Sequence, residues 1–235
     1  MIDYERLATP PGRWDDALFW GFHAAVGLGL RVCFRYRVEG APPAEGGFVI
    51  AANHASFLDP LLLGASLRRR VTYLMAQTVW RSASFGWFYR WNRAIPLSAR
   101  GGNREALRAA RRVLGQGRVV GIFPEGGLSR DGLPMLGSPG AVSLVLNEGL
   151  PIVPVGIVGA SAVLPAGARV PRLRRVVIRY GEPIRPADVD ALGGDRRTRL
   201  RDATALIMRR IAELTGLEAR EDVLARAATT AEPIG

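Results

Sequence analysis

The chain passes from an apolar run to a polar cluster in one short stretch, Phe48-Val49-Ile50-Ala51-Ala52-Asn53-His54-Ala55-Ser56-Phe57-Leu58-Asp59-Pro60. The apolar run is typical of a strand buried inside a sheet, and a strand that ends at Asn53 places His54 at the edge of that sheet. Ser56 and Asp59 have the spacing of a capping box, which predicts a helix with Ser56 as its N-cap. The stretch therefore predicts a strand-to-helix junction that carries a histidine.

His54 and Asp59 are the residue types of a general base. A carboxylate beside an imidazole fixes the tautomer of the ring and stabilises the positive charge that forms as the ring takes a proton. Such a pair would deprotonate an alcohol. The same two residues also fit a structural interpretation, in which Asp59 only caps a helix and His54 is a polar loop residue.

A second stretch, Ile122-Phe123-Pro124-Glu125-Gly126, also follows a strand-like run. Both stretches thus lie where predicted strands end, which is the edge at which open α/β sheets bind ligands. Pro124 restricts the backbone, and Gly126 permits a tight turn or the close approach of a ligand. A carboxylate repels a phosphate, so we expect Glu125 to accept hydrogen bonds from a substrate hydroxyl or to orient an arginine.

Together the two stretches resemble the N-H-x-x-x-x-D and F-P-E-G motifs of the glycerolipid acyltransferases, typified by bacterial 1-acylglycerol-3-phosphate acyltransferases. The resemblance covers roughly residues 40 to 185. It implies transfer of a fatty acyl group from an acyl thioester, carried by coenzyme A or acyl carrier protein, to the hydroxyl of lysophosphatidic acid. The product would be phosphatidic acid, for phospholipid biosynthesis. His54 and Asp59 would be the catalytic residues, and the resemblance implies no metal or other cofactor.

The resemblance also implies residues that bind the acceptor. In the family, a strand between the two motifs ends in an arginine that binds the acceptor's phosphate, and Arg100 is the matching residue. The match is imperfect, because the family begins this block with glycine where Arg93 stands, and this chain carries one extra residue before Arg100. Arg93 is therefore a second candidate, and a solvated surface arginine is the alternative for Arg100. The substrate-binding candidates are Arg93, Arg100, Phe123, Pro124, Glu125 and Gly126.

The chain departs from the family after the second motif, where Gly127-Leu128-Ser129 replace the usual Thr-Arg-Ser. The lost polar side chains keep other acceptors open: glycerol 3-phosphate, another lysophospholipid or a glycolipid. A different class of protein also remains, a non-catalytic basic protein that binds anionic membranes or nucleic acid. No recognised nucleic-acid motif is present, so we expect no nucleic-acid partner.

The composition indicates one globular domain in a reducing compartment. The chain has 235 residues, a net charge of +11 and a single cysteine, Cys33. This length suits one ample core, and a lone cysteine excludes an intrachain disulfide. Every basic residue is arginine, a side chain that binds phosphate through two parallel hydrogen bonds and favours anionic lipid headgroups.

Hydrophobic periodicity predicts a single layered α/β domain with a mixed, mostly parallel sheet flanked by helices. Strands are predicted near 47–53, 71–76, 93–98, 118–123, 151–158 and 174–180. Asn103 is expected to cap a helix that ends at Gly115. Further helices are predicted from Ser138 or Pro139 to Asn147 and from Pro186 onwards, with residues 196–214 the strongest part.

The first 38 residues are expected to form an apolar helical segment that contacts the membrane. Ala17 to Leu30 carries no formal charge, but these residues fall short of the ~20 needed to span a bilayer. Neighbouring tryptophans and arginines suit an interface, and a re-entrant helix and burial in the core are the alternatives. This predicts a membrane segment (1–38), an acyltransferase domain (39–217) and a polar tail (218–235). We expect the protein at the cytoplasmic face of the cell membrane, peripheral or monotopic, on an anionic surface.

Aromatic side chains crowd one short segment downstream of the first motif. An amphipathic surface or the lining of an acyl-chain groove would use such a cluster, and ordinary core packing would use it too. The cluster consists of Trp80, Phe85, Trp87, Phe88, Tyr89 and Trp91.

Overall fold

The computed structural model describes residues 2–82, 86–129, 137, 143, 149–164 and 170–216. Within these residues, the strands form one seven-stranded sheet in the order β1-β7-β6-β2-β5-β3-β4. All neighbouring strands run parallel except β6 and β7, which are antiparallel. The strands are β1 (Arg37–Glu39), β2 (Phe48–Ala52), β3 (Val71–Ala76), β4 (Ile95–Leu97), β5 (Val119–Ile122), β6 (Ile152–Val158) and β7 (Val177–Tyr180). The predicted fold class, a mixed and mostly parallel sheet, is confirmed.

Helices cover both faces of the sheet. They are α1 (Tyr4–Ala8), α2 (Arg13–Phe34), α3 (Asp59–Ala65), α4 (Gln77–Trp80), α5 (Gly86–Trp91), α6 (Arg104–Gly115), α7 (Ala160–Val163), α8 (Pro186–Asp190) and α9 (Arg196–Thr215). Successive residues of a strand point to opposite faces, so each strand contributes to two core layers. Val49 packs in the layer with α1, α6 and α9, whereas Ile50 packs in the layer with α2, α3 and α7.

The structure contains each predicted strand, with ends that shift by up to three residues. Strand β1 was not predicted, because its three residues are all exposed and their sequence, Arg37-Val38-Glu39, lacks an apolar run. The helical region from Pro186 is confirmed and divides into α8 and α9. The helix predicted between Ser138 and Asn147, Phe85 of the aromatic cluster and the tail 218–235 lie outside the described residues, apart from Ser143.

Of the two predicted helix caps, Ser56 is wrong and Asn103 is confirmed as the N-cap residue. Helix α3 begins at Asp59, after the N-cap residue Leu58, so Ser56 is not its N-cap. The Asp59 carboxylate turns back instead to accept the N–H of Ser56 at 2.7 Å, and the Ser56 hydroxyl accepts the N–H of Leu58 at 3.3 Å. Asn103 does stand at the N-cap of α6, but its side chain bonds to the backbone of Ser98 rather than capping the helix.

Helix α2 is longer than the uncharged stretch that predicted it, because its first and last turns include charged residues. By length and composition alone its 22 residues are enough to cross a membrane, a test that core helices and signal sequences also pass. One side packs on α3, and the other exposes Trp14, Leu18, Leu28 and Val32. The division at residue 38 remains a prediction; Leu7, Ala8 and Leu30 nevertheless lie in the core.

Candidate active site

The catalytic candidates His54 and Asp59 lie side by side at the end of β2. His54 Nδ1 is 3.0 Å from Asp59 Oδ2. The same carboxylate oxygen accepts the backbone N–H groups of Ala55 and Ser56, each at 2.7 Å. Asp59 is fully buried, whereas the His54 side chain is 19% exposed. The loop between β2 and α3 therefore wraps around the carboxylate and holds the imidazole against it.

This geometry decides which ring nitrogen is basic. An ionised carboxylate accepts hydrogen bonds but cannot donate them, so the bond to Asp59 places a proton on Nδ1 of His54. The lone pair of the neutral ring is then on Nε2, which is the atom that takes up a proton. The pair has the arrangement of a general base and the group that orients it.

The main chain of His54 is held by the second motif and by the segment that follows it. Glu125 Oε1 accepts the N–H of His54 at 3.0 Å, and the N–H of Ser129 donates to the carbonyl of His54 at 2.8 Å. The two motifs meet because β2 and β5 are parallel neighbours whose carboxyl ends lie together. Glu125 thus supports the main chain of His54 directly, and its contact with substrate stays a prediction.

Asn53 has a role that the sequence interpretation missed. Its amide donates to the carbonyl of Ile157 at 3.0 Å and accepts the N–H of Ile157 at 2.7 Å. A side-chain amide carries both a donor and an acceptor, so it can continue the ladder between β2 and β6 beyond the last strand residue. The sequence feature that could have indicated this role is the position of Asn53 at the end of the apolar run, directly before His54.

Phe123 packs against the catalytic ring. Its ring is stacked on His54 with centroids 4.2 Å apart and on Tyr73 with centroids 5.9 Å apart. The following residues turn sharply, since the N–H of Gly126 bonds to the carbonyl of Phe123 and Gly126 has a φ of 68°. Pro124 is buried within this turn. These residues shape the wall beside His54.

A cavity of about 750 Å³ opens beside His54. This volume is within the range of small-molecule sites. Helices α2, α3 and α5 supply a largely apolar part of the lining, which includes Phe19, Phe22, Val26, Gly64, Ala65 and Phe88. The loops after β4 and β5 supply a more polar part, which includes Ser98, Asn103, Gly126 and Gly127, and Ser143 also lines the cavity. Of the aromatic cluster, Phe88 and Tyr89 line the cavity.

Arg100 is exposed and follows Ala99, which lines the cavity. Among the described residues, its guanidinium has neither an ion-pair nor a hydrogen-bond partner. The loop around it is held by Asn103, whose side chain accepts the N–H of Ser98 at 2.7 Å and donates to the carbonyl of Ser98 at 3.0 Å. Arg100 is thus a cation at the cavity's border with its donors available to a ligand.

Arg93 occupies a different place from the one predicted for it. Its guanidinium donates to the carbonyls of Arg6 at 2.7 Å and Thr9 at 3.0 Å, and it lies 3.3 Å from the carboxylate of Asp15. Arg93 is not among the residues that line the cavity. Its Nη1 and Nη2 atoms are bonded to the N-terminal segment, so we assign it an anchoring role in place of the predicted phosphate contact.

The described residues contain no group of three or more His, Cys, Asp and Glu side chains arranged to hold a metal ion. The described part of the site consists of an imidazole, a buried carboxylate and a stacked aromatic ring, and Arg100 follows the lining residue Ala99.

Comparison with known proteins agrees with this geometry. The family model described as "Acyltransferase" matches residues 35–158, more than half of the chain. The chain belongs to the acyltransferase family. Membership confirms the predicted family and the prediction of an acyltransferase enzyme, and the matched region contains both motifs.

Relatives of this acyltransferase come from bacteria and plants. It is 28% identical over 173 residues to the 1-acyl-sn-glycerol-3-phosphate acyltransferase of Bacillus subtilis, a match that covers 73% of this chain and 83% of the relative. A chloroplastic 1-acyl-sn-glycerol-3-phosphate acyltransferase of Arabidopsis thaliana is 26% identical, over 72% of this chain and 48% of the relative. The match to the plant protein thus spans about half of its length.

A solved structure has the same fold. The crystal structure of the 1-acyl-sn-glycerophosphate (LPA) acyltransferase of Thermotoga maritima superposes with a TM-score of 0.66 at 20% sequence identity. The match covers 89% of this chain and 85% of that protein. At this level of identity the likeness supports the fold of the acyltransferase, and its substrates require a separate argument.

Proposed function

We propose that this acyltransferase moves a fatty acyl group from an acyl thioester to the free hydroxyl of lysophosphatidic acid, giving phosphatidic acid for phospholipid biosynthesis. The observation that carries the proposal is the His54–Asp59 pair in the wall of a cavity with a largely apolar part and a more polar part. The names of the relatives support the acceptor, since each denotes an enzyme that acts on a 1-acylglycerol phosphate.

The chemistry follows from the basic Nε2 of His54. As the acceptor hydroxyl attacks the thioester carbonyl, Nε2 takes the hydroxyl proton and a new C–O bond forms. The tetrahedral intermediate then collapses, the C–S bond breaks, and the protonated ring gives its proton to the departing thiolate. Asp59 stabilises the imidazolium between these two steps, because its carboxylate lies 3.0 Å from Nδ1.

The two parts of the cavity suit the two ends of the substrates. Phe19, Phe22 and Val26 of α2 present an apolar surface to a fatty chain, and Gly64 on α3 leaves space for it because it has no side chain. The phosphate of the acceptor is placed near Arg100, whose planar guanidinium matches a phosphate through two hydrogen bonds. Holding both substrates beside His54 supplies much of the rate enhancement.

An activated thioester and one general base are sufficient for this reaction. His54 moves the proton at each step, and the thioester itself supplies the driving force, so the proposed mechanism requires no metal or redox cofactor. Either coenzyme A or acyl carrier protein can present the same thioester, and both are included in the test below.

The test is release of free thiol by the purified protein. Palmitoyl-coenzyme A and palmitoyl-acyl carrier protein are offered with lysophosphatidic acid, glycerol 3-phosphate, lysophosphatidylcholine or monoacylglycerol. We expect release to depend on lysophosphatidic acid and to give phosphatidic acid, identified by mass spectrometry. Preference for another acceptor would keep the chemistry and replace the substrate, and no release with any acceptor would overturn the proposal.

His54→Ala tests the base itself. We expect the variant to keep its circular dichroism spectrum and to lose turnover, because no other described side chain at the Asp59 carboxylate can accept the hydroxyl proton. Turnover at about a tenth of the wild-type rate or more would exclude His54 as the general base.

We further propose that the exposed side of α2 lies on the anionic, cytoplasmic face of the membrane, where thioester donors and lipid acceptors meet. Trp14, Leu18 and Leu28 are more than half exposed on this helix, and Arg31 and Arg35 are exposed near its end. Such a helix buries apolar side chains at the headgroup level while arginines bind lipid phosphates.

Co-sedimentation with phosphatidylglycerol vesicles tests this surface. Changing Trp14 and Leu18 to Ser should release the protein into the supernatant. The matched control changes Val170 and Leu173 to Ser, two exposed apolar residues outside α2, and should leave binding unchanged. Equal binding of both double variants would show that α2 is not the contact.

A further inference from the structure

Tyr73 contacts Pro60, which follows Asp59, and Phe123, which is stacked on His54. It lies on β3 with its ring in the cavity wall, and its hydroxyl donates to the carbonyl of Pro60 at 2.8 Å. Pro60 directly follows Asp59 in the first turn of α3. Burial raises the pKa of Tyr73 well above its usual value, so the hydroxyl stays protonated and remains a donor.

The ring of Tyr73 supports His54 through one intermediate ring. Tyr73 and Phe123 are almost parallel, with an interplanar angle of 8°, and Phe123 in turn stacks on His54 at 22°. The three rings form a continuous stack from β3 to the catalytic imidazole. A shift of the Tyr73 ring is therefore transmitted to His54 through the van der Waals contacts of Phe123.

The neighbouring strand is adapted to this ring. Gly121 on β5 is the register partner of Tyr73, and a Cβ at Gly121 would lie 2.7 Å from two carbon atoms of the tyrosine ring. A side chain at Gly121 would displace this ring, together with Val71 of β3, whose Cγ1 would lie 2.8 Å from the added Cβ. The absence of a side chain at this position creates the space in which Tyr73 lies.

We propose that Tyr73 is a positioning residue that sets the distance between His54 and Asp59. Its hydroxyl fixes the first turn of α3, which carries Asp59, and its ring fixes Phe123, on which His54 is stacked. One side chain thus ties together the two elements whose separation determines the hydrogen bond between Nδ1 and Oδ2. The inference rests on the proposed role of His54 as general base.

Tyr36 provides a matched control, because its hydroxyl also bonds to a backbone carbonyl of α3. Its buried hydroxyl donates to the carbonyl of Leu62 in α3 at 2.7 Å, so Tyr36→Phe removes the same group from the same helix. Tyr36 does not line the cavity and makes no ring contact with Phe123. Any general loss of α3 stability should therefore appear in both variants, and a loss of positioning only in Tyr73→Phe.

Steady-state kinetics of the two variants give the first readout. We expect Tyr73→Phe to lower kcat about tenfold with an unchanged KM for both substrates, because a small displacement of catalytic groups slows chemistry without weakening binding. Tyr36→Phe should keep the wild-type kcat. An equal kcat for the two variants, or a raised KM at constant kcat in Tyr73→Phe, would overturn the proposal.

Nuclear magnetic resonance of ¹⁵N-labelled histidine gives a readout that does not depend on acyl transfer. The chain contains only His23 and His54, so the ring signals are assigned with one variant. We expect Tyr73→Phe to shift the Nδ1 proton resonance of His54 and Tyr36→Phe to leave it in place. An unmoved resonance in Tyr73→Phe would contradict the inference even if the protein acylated a different acceptor.

Gly121→Ala tests the same idea from the opposite side of the ring. The added methyl group displaces Tyr73 while the hydroxyl remains on the protein. We expect the same shift of the His54 resonance and a similar fall in kcat. This variant decides the question if Tyr73→Phe fails to fold, and wild-type values for both measurements would exclude the proposed role.

Discussion

Two strand-to-helix connections border the cavity, and they differ in whether their polar side chains are bonded within the protein. The junction 53–59 links β2 to α3, and the loop 98–103 links β4 to α6. In the junction, the polar groups of Asn53 and the main chain of His54 are bonded within the protein, and Asp59 Oδ2 accepts three hydrogen bonds. In the loop, Asn103 holds the backbone of Ser98, while the guanidinium of Arg100 is exposed.

The difference suits two tasks of the proposed reaction. Proton transfer requires a base at a fixed distance from its substrate, and a junction with internally bonded polar groups supplies that distance. Recognition of a phosphate requires donors that are not already occupied, and an exposed arginine on a shaped loop supplies them. Variants of the junction should therefore change kcat, and variants of the loop should change KM.

Asp59→Asn should have the largest effect. The amide oxygen can still accept the three hydrogen bonds that reach Oδ2, so the variant removes the charge with little change of shape. Two opposite charges about 4 Å apart interact by about 4 kcal/mol at an effective dielectric constant near 20, which corresponds to a fall in kcat of about 10³-fold. The measurement is kcat in the thiol-release assay.

Asp195→Asn is the matched control for this change. Asp195 is the N-cap of α9, where it accepts the N–H of Thr198, and it does not line the cavity. Asparagine is an equally good N-cap, so activity and stability should both be retained. If Asp59→Asn kept more than about a tenth of the wild-type kcat, the carboxylate would not be stabilising the imidazolium.

Arg100→Gln should have the next largest effect, and it should act on KM. A hydrogen bond to a charged group contributes about 1.5–3 kcal/mol, so we expect the KM for lysophosphatidic acid to rise about ten- to a hundredfold with little change in kcat. Arg108→Gln removes the same charge from the exposed side of α6 and should leave KM unchanged.

An acceptor without a phosphate provides a second control for Arg100→Gln. Monoacylglycerol lacks the phosphate, so its KM should be the same for the wild type and for Arg100→Gln. A rise in KM for both acceptors would show that Arg100 shapes the loop rather than binding phosphate, and an unchanged KM for both would remove Arg100 from the site.

The sequence was sufficient to predict the junction and insufficient to place the arginines. Strand β2 is a continuous apolar run, and His54 and Asp59 are close in sequence, so local patterns determined both the element and the pair. Arg93 and Arg100 flank the same short strand, and the partners of Arg93 are distant in sequence: it bonds to residues 6, 9 and 15. Contacts of that kind depend on tertiary packing, which no local pattern records.

Glu125 illustrates the same limit within the junction. Its position after β5 was predictable, but its partner is the backbone N–H of His54, which any residue would present. Side-chain patterns reveal pairs of side chains more readily than they reveal side chains bonded to the main chain. For that reason the supporting roles of Glu125 and Asn53 became visible only in the structure.

Two substitutions of Glu125 measure that support. Gln can still accept the N–H of His54 through its amide oxygen, whereas Ala leaves that buried N–H without this partner, a loss of about 1–3 kcal/mol. We expect Glu125→Ala to lower kcat about tenfold and Glu125→Gln to have a smaller effect. A larger rise in KM than fall in kcat for both variants would instead favour the predicted contact with the acceptor.

The smallest predicted effect is the alkaline weakening of α3. Burial raises the pKa of Tyr36 well above its ordinary value near 10, and its hydroxyl donates to Leu62 in α3. The folded state then keeps a proton that the unfolded chain loses, so this stabilisation is complete below pH 10 and falls as the pH rises towards the folded pKa. At pH 11 the loss is about 1.4 kcal/mol in the free energy of unfolding.

Urea unfolding at pH 8 and pH 11 tests this linkage, with Tyr36→Phe as the comparison. Tyr73 and Tyr180 are present in both proteins, so the difference between the two losses reports the Tyr36 hydroxyl and its coupling to them, and the wild type should lose about 1.4 kcal/mol more than the variant. In hydrogen-exchange measurements, the rise from pH 8 to pH 11 should increase the opening rate of amides in the junction and α3 more than that of amides in the loop 98–103. Equal losses in the two proteins would mean that the Tyr36 hydroxyl does not hold α3, and Tyr36→Phe would then no longer match Tyr73→Phe as a control.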